Sequence, residues 1–194
     1  MKTIILATAT FLLLIACNDD NKNLSTETTV SAGDSTEREH DTATKSILNG
    51  TVSTHEVLAS YLQIKNGLAT DDGAAAAAGG DGFVRALSKI DTSSMSASQK
   101  TTFEDVADDA KEMAEHIGKS ASKLEHQREH FDMLSKDMYD MVKSLGTDQP
   151  LYQDYCPMYN NKKGATWLSE TKEIKNPYMG KKQPDCGTLK EEIK

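Results

Sequence analysis

From residue 53 to residue 145 the apolar positions recur with a period near 3.6. Val57, Tyr61, Ile64 and Leu68 make one stripe. Ala74–Ala78, Phe83, Ala86, Leu87 and Ile90 make a second. Phe103, Val106, Ala110, Met113 and Ile117 make a third. The fourth, Leu124, Phe131, Leu134, Met138, Met141 and Leu145, is spaced 7, 3, 4, 3 and 4. Each stripe predicts one amphipathic helix. All four prolines (150, 157, 177 and 184) lie beyond this region, so nothing forbids long helices within it. Ser53-x-x-Glu56, Ser96-x-x-Gln99 and Ser122-x-x-Glu125 fit the capping box, and Asp71 or Asp72 fits a simple N-cap. Gly79-Gly80 and Gly82 each cost roughly 1 kcal/mol against alanine, so the second helix is expected to break or fray there. Burying four stripes joined by short connections predicts an all-α antiparallel four-helix bundle.

After residue 146, Pro, Gly, Asn and Tyr replace the helical pattern. The expectation is an irregular segment, containing Cys156 and Cys186, packed on the bundle. A short hairpin is allowed, Trp167 is its plug into the core, and residues 187–194 form a last helical turn or fray. Ahead of the bundle, residues 18–50 are polar and carry no aromatic residue. They cannot bury enough apolar surface to fold and read as a tether. Residues 1–17 have a positive start at Lys2, a 12-residue and mostly apolar run from Ile4 to Ile15, and then Ala16-Cys17. Such a run is shorter than the about 20 residues that span a bilayer. It resembles a lipoprotein lipobox, which implies cleavage before Cys17 and acyl chains on it. The expected division is 1–17 signal peptide, 18–50 tether and 51–194 folded domain. The localisation that follows is a bacterial membrane-anchored lipoprotein facing the periplasm or the cell exterior.

The net charge of −8, with no dense run of either sign, argues against nucleic acid or anionic lipid as a partner. With Cys17 assigned to lipid, Cys156 and Cys186 are the two remaining cysteines. Two readings stay open. A disulfide would close a loop of about 31 residues and add roughly 3.5 kcal/mol. Alternatively the thiols, with Met158, hold a soft metal ion such as copper. His126 and His130, at i and i+4 on the fourth helix, are candidate metal neighbours on its flank. His40, His55 and His116 receive no role. Met113, Met133, Met138 and Met141 read mostly as core. A Cys156–histidine nucleophile pair lacks an orienting third group and an oxyanion motif, so no enzyme is expected.

Several short motifs run in one order along the chain: Tyr61-Leu62-x-Ile64-Lys65-x-x-Leu68, Asp71-Asp72, Gln127-Arg128-x-x-Phe131-x-x-Leu134-Ser135, Cys156-Pro157-Met158, Gly164-Ala165-x-Trp167-Leu168-Ser169, Asn176-Pro177-Tyr178-x-Gly180 and Cys186-Gly187. Together they resemble the domain-of-unknown-function family 3347, over about residues 53–193. That family occurs as exported lipoproteins and as domains appended to adaptor subunits of Cus-type copper and silver efflux systems. The resemblance implies a helical, periplasm-facing, non-catalytic domain linked to heavy-metal handling, with copper as the expected ion and a metal-efflux adaptor or copper-handling protein as the expected partner. The ligands it implies are Cys156, Met158 and Cys186, with His126 and His130 beside them. The chain departs from the family in one place: Gln183 stands where many relatives have methionine, and Met179 where an aromatic residue is common.

Overall fold

The computed structural model describes residues 54–194; the expected signal peptide (1–17), Cys17 and the expected tether (18–50) lie outside the described residues. Four helices come first: α1 (His55–Ala69), α2 (Gly73–Leu87), α3 (Ala97–Gly118) and α4 (Leu124–Leu145). Side-chain contacts fix their directions. Ile64 of α1 meets Gly79 of α2, and Ser60 meets Gly82. Gly80 of α2 meets Ala114 and Gly118 of α3. Gln99 at the start of α3 donates to the Ser144 carbonyl at the end of α4. Tyr61 of α1 stacks on Phe131 of α4, while Arg128 reaches back to the Leu68 carbonyl. Each neighbour therefore runs antiparallel, and α4 closes the ring onto α1. Val57, Tyr61, Ile64, Leu68, Phe83, Ile117, Phe131, Leu134, Met138 and Met141 are all buried in the centre. Met133 is the exception among the helical methionines and stands exposed.

The helix starts follow local chemistry at two of the four sites. Ser96 and Gln99 form a reciprocal capping box on α3, and the Asp72 carboxylate accepts from the Ala75 amide at 2.9 Å on α2. Helix α4 begins instead behind Lys123, with no side-chain cap, so Ser122 does not do the work its spacing suggests. Ser53 lies outside the described residues, and Thr54 precedes α1 without a side-chain cap.

The glycine run does not break α2, which is continuous from Gly73 to Leu87. The reason is close packing on both sides. A Cβ on Gly79 would lie 2.8 Å from the Ile64 backbone of α1, and one on Gly80 would lie 2.6 Å from the Ala114 carbonyl of α3. The glycines let α2 press against two helices at once, and that contact outweighs their poor propensity. Gly80→Ala is accordingly expected to destabilise the domain by up to about 2 kcal/mol: overpacking against backbone exceeds the roughly 1 kcal/mol that alanine returns to a helix. Urea denaturation measures it, and a stabilised variant would show that the helices separate freely.

The C-terminal segment corrects the expectation of an irregular, all-α domain. It is a three-stranded antiparallel sheet ordered β2-β1-β3, with β1 (Leu151–Cys156) central, β2 (Ala165–Ser169) and β3 (Thr188–Ile193). Residues 188–193 are thus a strand rather than a last helical turn. The sheet packs through β2 against α4 and α1. Trp167 is 1% exposed, and the Tyr178 hydroxyl donates to the Thr166 carbonyl at 2.7 Å. The Tyr61 hydroxyl meets Ser135 at 2.9 Å and accepts from the Leu168 amide at 3.0 Å, tying α1, α4 and β2 together.

Two buried charges sit at this junction. The Lys65 ammonium, wholly enclosed, lies 2.6 Å from the Glu170 carboxylate. Asp154 on β1 is fully buried, and neither carboxylate oxygen has a hydrogen-bond partner among the described residues. Burial pushes the Asp154 pKa up to about 7, with the Lys65 charge opposing. The ordinary aspartate value is about 3.9, so this carboxyl takes up a proton on folding across the interval between. Its contribution to stability is complete below pH ~4, falls as pH rises to ~7, and is constant above. Asp154→Asn should therefore gain stability relative to wild type progressively over that interval. Paired denaturation curves at pH 4 to 8 test this, and a pH-independent difference would show a solvated carboxylate.

Candidate metal site

The α3–α4 hairpin gathers three histidines. His116 stands in the last turns of α3, while His126 and His130 occupy the first turns of α4. One nitrogen from each lies within 4.8 Å of the other two, and all three side chains are partly buried. His126 Nε2 and His130 Nε2 are 3.2 Å apart. The His116 ring stacks on His130 at 4.4 Å with 12° between planes. Nδ1 of His130 lies 3.3 Å from Met113 Sδ on α3, and Nδ1 of His126 lies 3.6 Å from a Glu129 oxygen. His116 Nε2 is 3.7 Å from Glu112.

Partners at both Nδ1 atoms leave the Nε2 atoms facing inward, in the way carboxylates and other outer groups orient metal-ligating imidazoles. Nitrogens about 2.0–2.1 Å from a single ion are separated by about 2.9 Å at a right angle and about 3.3 Å at the tetrahedral angle. The observed 3.2 Å falls between them. The two Nε2 atoms are within hydrogen-bond distance of each other, and a metal ion held between them would take the place of that bond. Burial, then the neighbouring His126 and His116, hold the His130 pKa below its usual value. That favours the neutral imidazole a metal requires.

The other expected ligands lie elsewhere. Cys156, at the end of β1, is buried; Cys186, just before β3, is partly exposed. Their sulfurs are 3.2 Å apart as two free thiols. Neither joins the histidine group. The Cys156 thiol beside it, and then burial, push the Cys186 pKa up to about 11, which disfavours the thiolate that binds metals or attacks substrates. Met158 is 49% exposed and lines a cleft of about 670 Å³ with Met133, Tyr159, Met179, Glu125 and Glu129. The histidines and cysteines are not part of its lining. The fold thus divides the expected five ligands into three places. His126 and His130 stay together, the cysteines pair with each other, and Met158 faces a separate cleft.

His116, which receives no role from spacing alone, is the residue added by the structure. A signal for it does exist in the sequence. His116 and His126 are equally distant from Ala121, the middle of the α3–α4 connection, and residues mirrored about a tight antiparallel hairpin face one another. His55 lies outside the group and bonds Asp148 at 2.7 Å.

No helix among the described residues is long and apolar enough to cross a membrane. No curated protein and no solved structure matches the chain. A family model does, over residues 57–150, which covers α1 to α4 and all three histidines but stops before Cys156, Trp167 and Cys186. Residues 57–150 match the model of the family described as protein of unknown function (DUF3347).

Proposed function

We propose that this protein is a lipid-anchored, non-catalytic metal-binding module of the cell envelope, which holds copper and buffers it or passes it to an efflux adaptor. The observation that carries the reading is the group of three imidazole nitrogens within 4.8 Å on one helical hairpin. Imidazoles suit divalent copper and zinc, and among first-row divalent ions copper binds tightest to a given nitrogen site. With the thiols apart from the histidines, divalent copper fits this site better than a soft monovalent ion. The membrane link is the acyl group on Cys17, and the efflux partner follows from the family resemblance.

The test is a titration of the full chain with Cu(II) and, separately, Zn(II), against a chromophoric competing chelator. One ion per chain, bound more tightly than the chelator binds it, supports the reading. Failure of both metals to bind removes it, and tight binding of zinc alone transfers the site to zinc.

The cysteines support a second, compatible role. Thiols 3.2 Å apart in an exported domain are placed to form a disulfide that fastens β1 to the start of β3. Protein isolated without reductant should then show no free thiol in the folded domain. Two titratable thiols would sink the staple.

A further inference from the structure

Resting on the metal-binding reading above, we propose that the three-histidine site exchanges its ion through an open fourth position. His116 is the ligand that swings away, and the exchange partner is a protein side chain that donates to the ion. The three rings are not held alike. His126 and His130 sit on one helix with their Nε2 atoms already at 3.2 Å, and His130 is held from behind by Met113 at 3.3 Å. His116 instead lies flat on His130, with ring planes only 12° apart. Imidazole lone pairs lie in the ring plane, so two parallel stacked rings do not point at a common ion. Convergence takes a rotation of the His116 side chain, which is 45% exposed and has room to turn. Glu112, which faces its Nε2, is 3.7 Å away and itself mostly exposed. The α4 pair is thus preorganised, while His116 arrives last and leaves first.

No fourth Cys, His, Asp or Glu among the described residues completes the group. Glu129 and Glu112 lie against ring nitrogens of His126 and His116. A four-coordinate ion therefore keeps one position for an outside donor. That position opens toward solvent between two histidines that are each more than two-fifths exposed. None of the three histidines lines the large cleft, so that cleft does not enclose the ion. A donor atom carried on another protein's surface fits this opening. In the exchange, its lone pair bonds to the ion at the fourth position, the bond to His116 breaks, and further donor atoms of the same partner replace His130 and His126 in turn. The oxidation state of the metal does not change.

Azide stands in for the outside donor in the test. Full chain loaded with one equivalent of Cu(II) is titrated with azide, and the azide-to-copper charge-transfer band and the copper EPR spectrum are read. The expected result is one azide per copper in wild type and two in His116→Ala, which still retains copper on His126 and His130. Copper bound by wild type with no azide uptake would overturn the open position while leaving the metal module intact. One azide per copper in His116→Ala, with unchanged copper affinity, would overturn the role of His116. Failure of wild type to bind copper removes this proposal together with the reading beneath it.

Discussion

His130→Ala is expected to lose copper affinity by more than the ~100-fold upper range that removal of a mere outer partner costs a metal site. His130 is the centre of the group: it touches His126 through Nε2, Met113 through Nδ1, and His116 by stacking. Its removal leaves His116 and His126 with ring centroids 6.1 Å apart and no imidazole between them. The fold should persist, because His130 lies on the flank of α4 rather than among the buried Phe131, Leu134 and Met138. Competition titration measures the loss, and circular dichroism checks the fold. Cys156→Ser, Cys186→Ser and Met158→Ala are the controls, and each should keep wild-type affinity. The opposite pattern, with binding lost in the controls and kept in His130→Ala, would move the site to the tail.

Trp167→Ala carries the largest expected loss of stability, about 3–5 kcal/mol. The indole is 1% exposed, lies edge-on to Tyr178 with centroids 5.9 Å apart, and touches Gly187. It belongs to β2, the strand that carries the sheet onto α4. A loss of that size is a large part of the 5–15 kcal/mol that holds an ordinary domain folded. Urea denaturation followed by near-ultraviolet circular dichroism measures it. A change below about 1 kcal/mol would mean that the sheet is a loose appendage rather than part of one core. Copper affinity of the folded fraction should not change, since the three histidines lie on α3 and α4.

Patterns local to the sequence carried a long way. The stripes of α1, α3 and α4 fixed which residues face inward: Tyr61, Ile117, Phe131 and Met138 are buried as their periodicity requires. The Ser96–Gln99 box and the Asp72 cap needed only neighbours three residues apart, and both formed. The glycines of α2 misled because propensity describes an isolated helix. Their role depends on Ile64 and Ala114, which are remote in sequence.

The sheet was hidden for a related reason. Cys156 pairs with Ala165, while Leu151 pairs with Ile193 some forty residues on. No local alternation records such distant registers, and β3, Thr188–Ile193, is largely exposed and polar. By itself, then, the sequence determined four amphipathic helices, their order, their inward faces and the one i, i+4 histidine pair. Tertiary structure decided that His116 stands against that pair, that the cysteines meet each other instead, and that Met158 looks into a separate cleft. The physical reason is that a ligand set is a meeting of side chains from different elements. Helical periodicity specifies the face a residue occupies, and only packing specifies what stands opposite it.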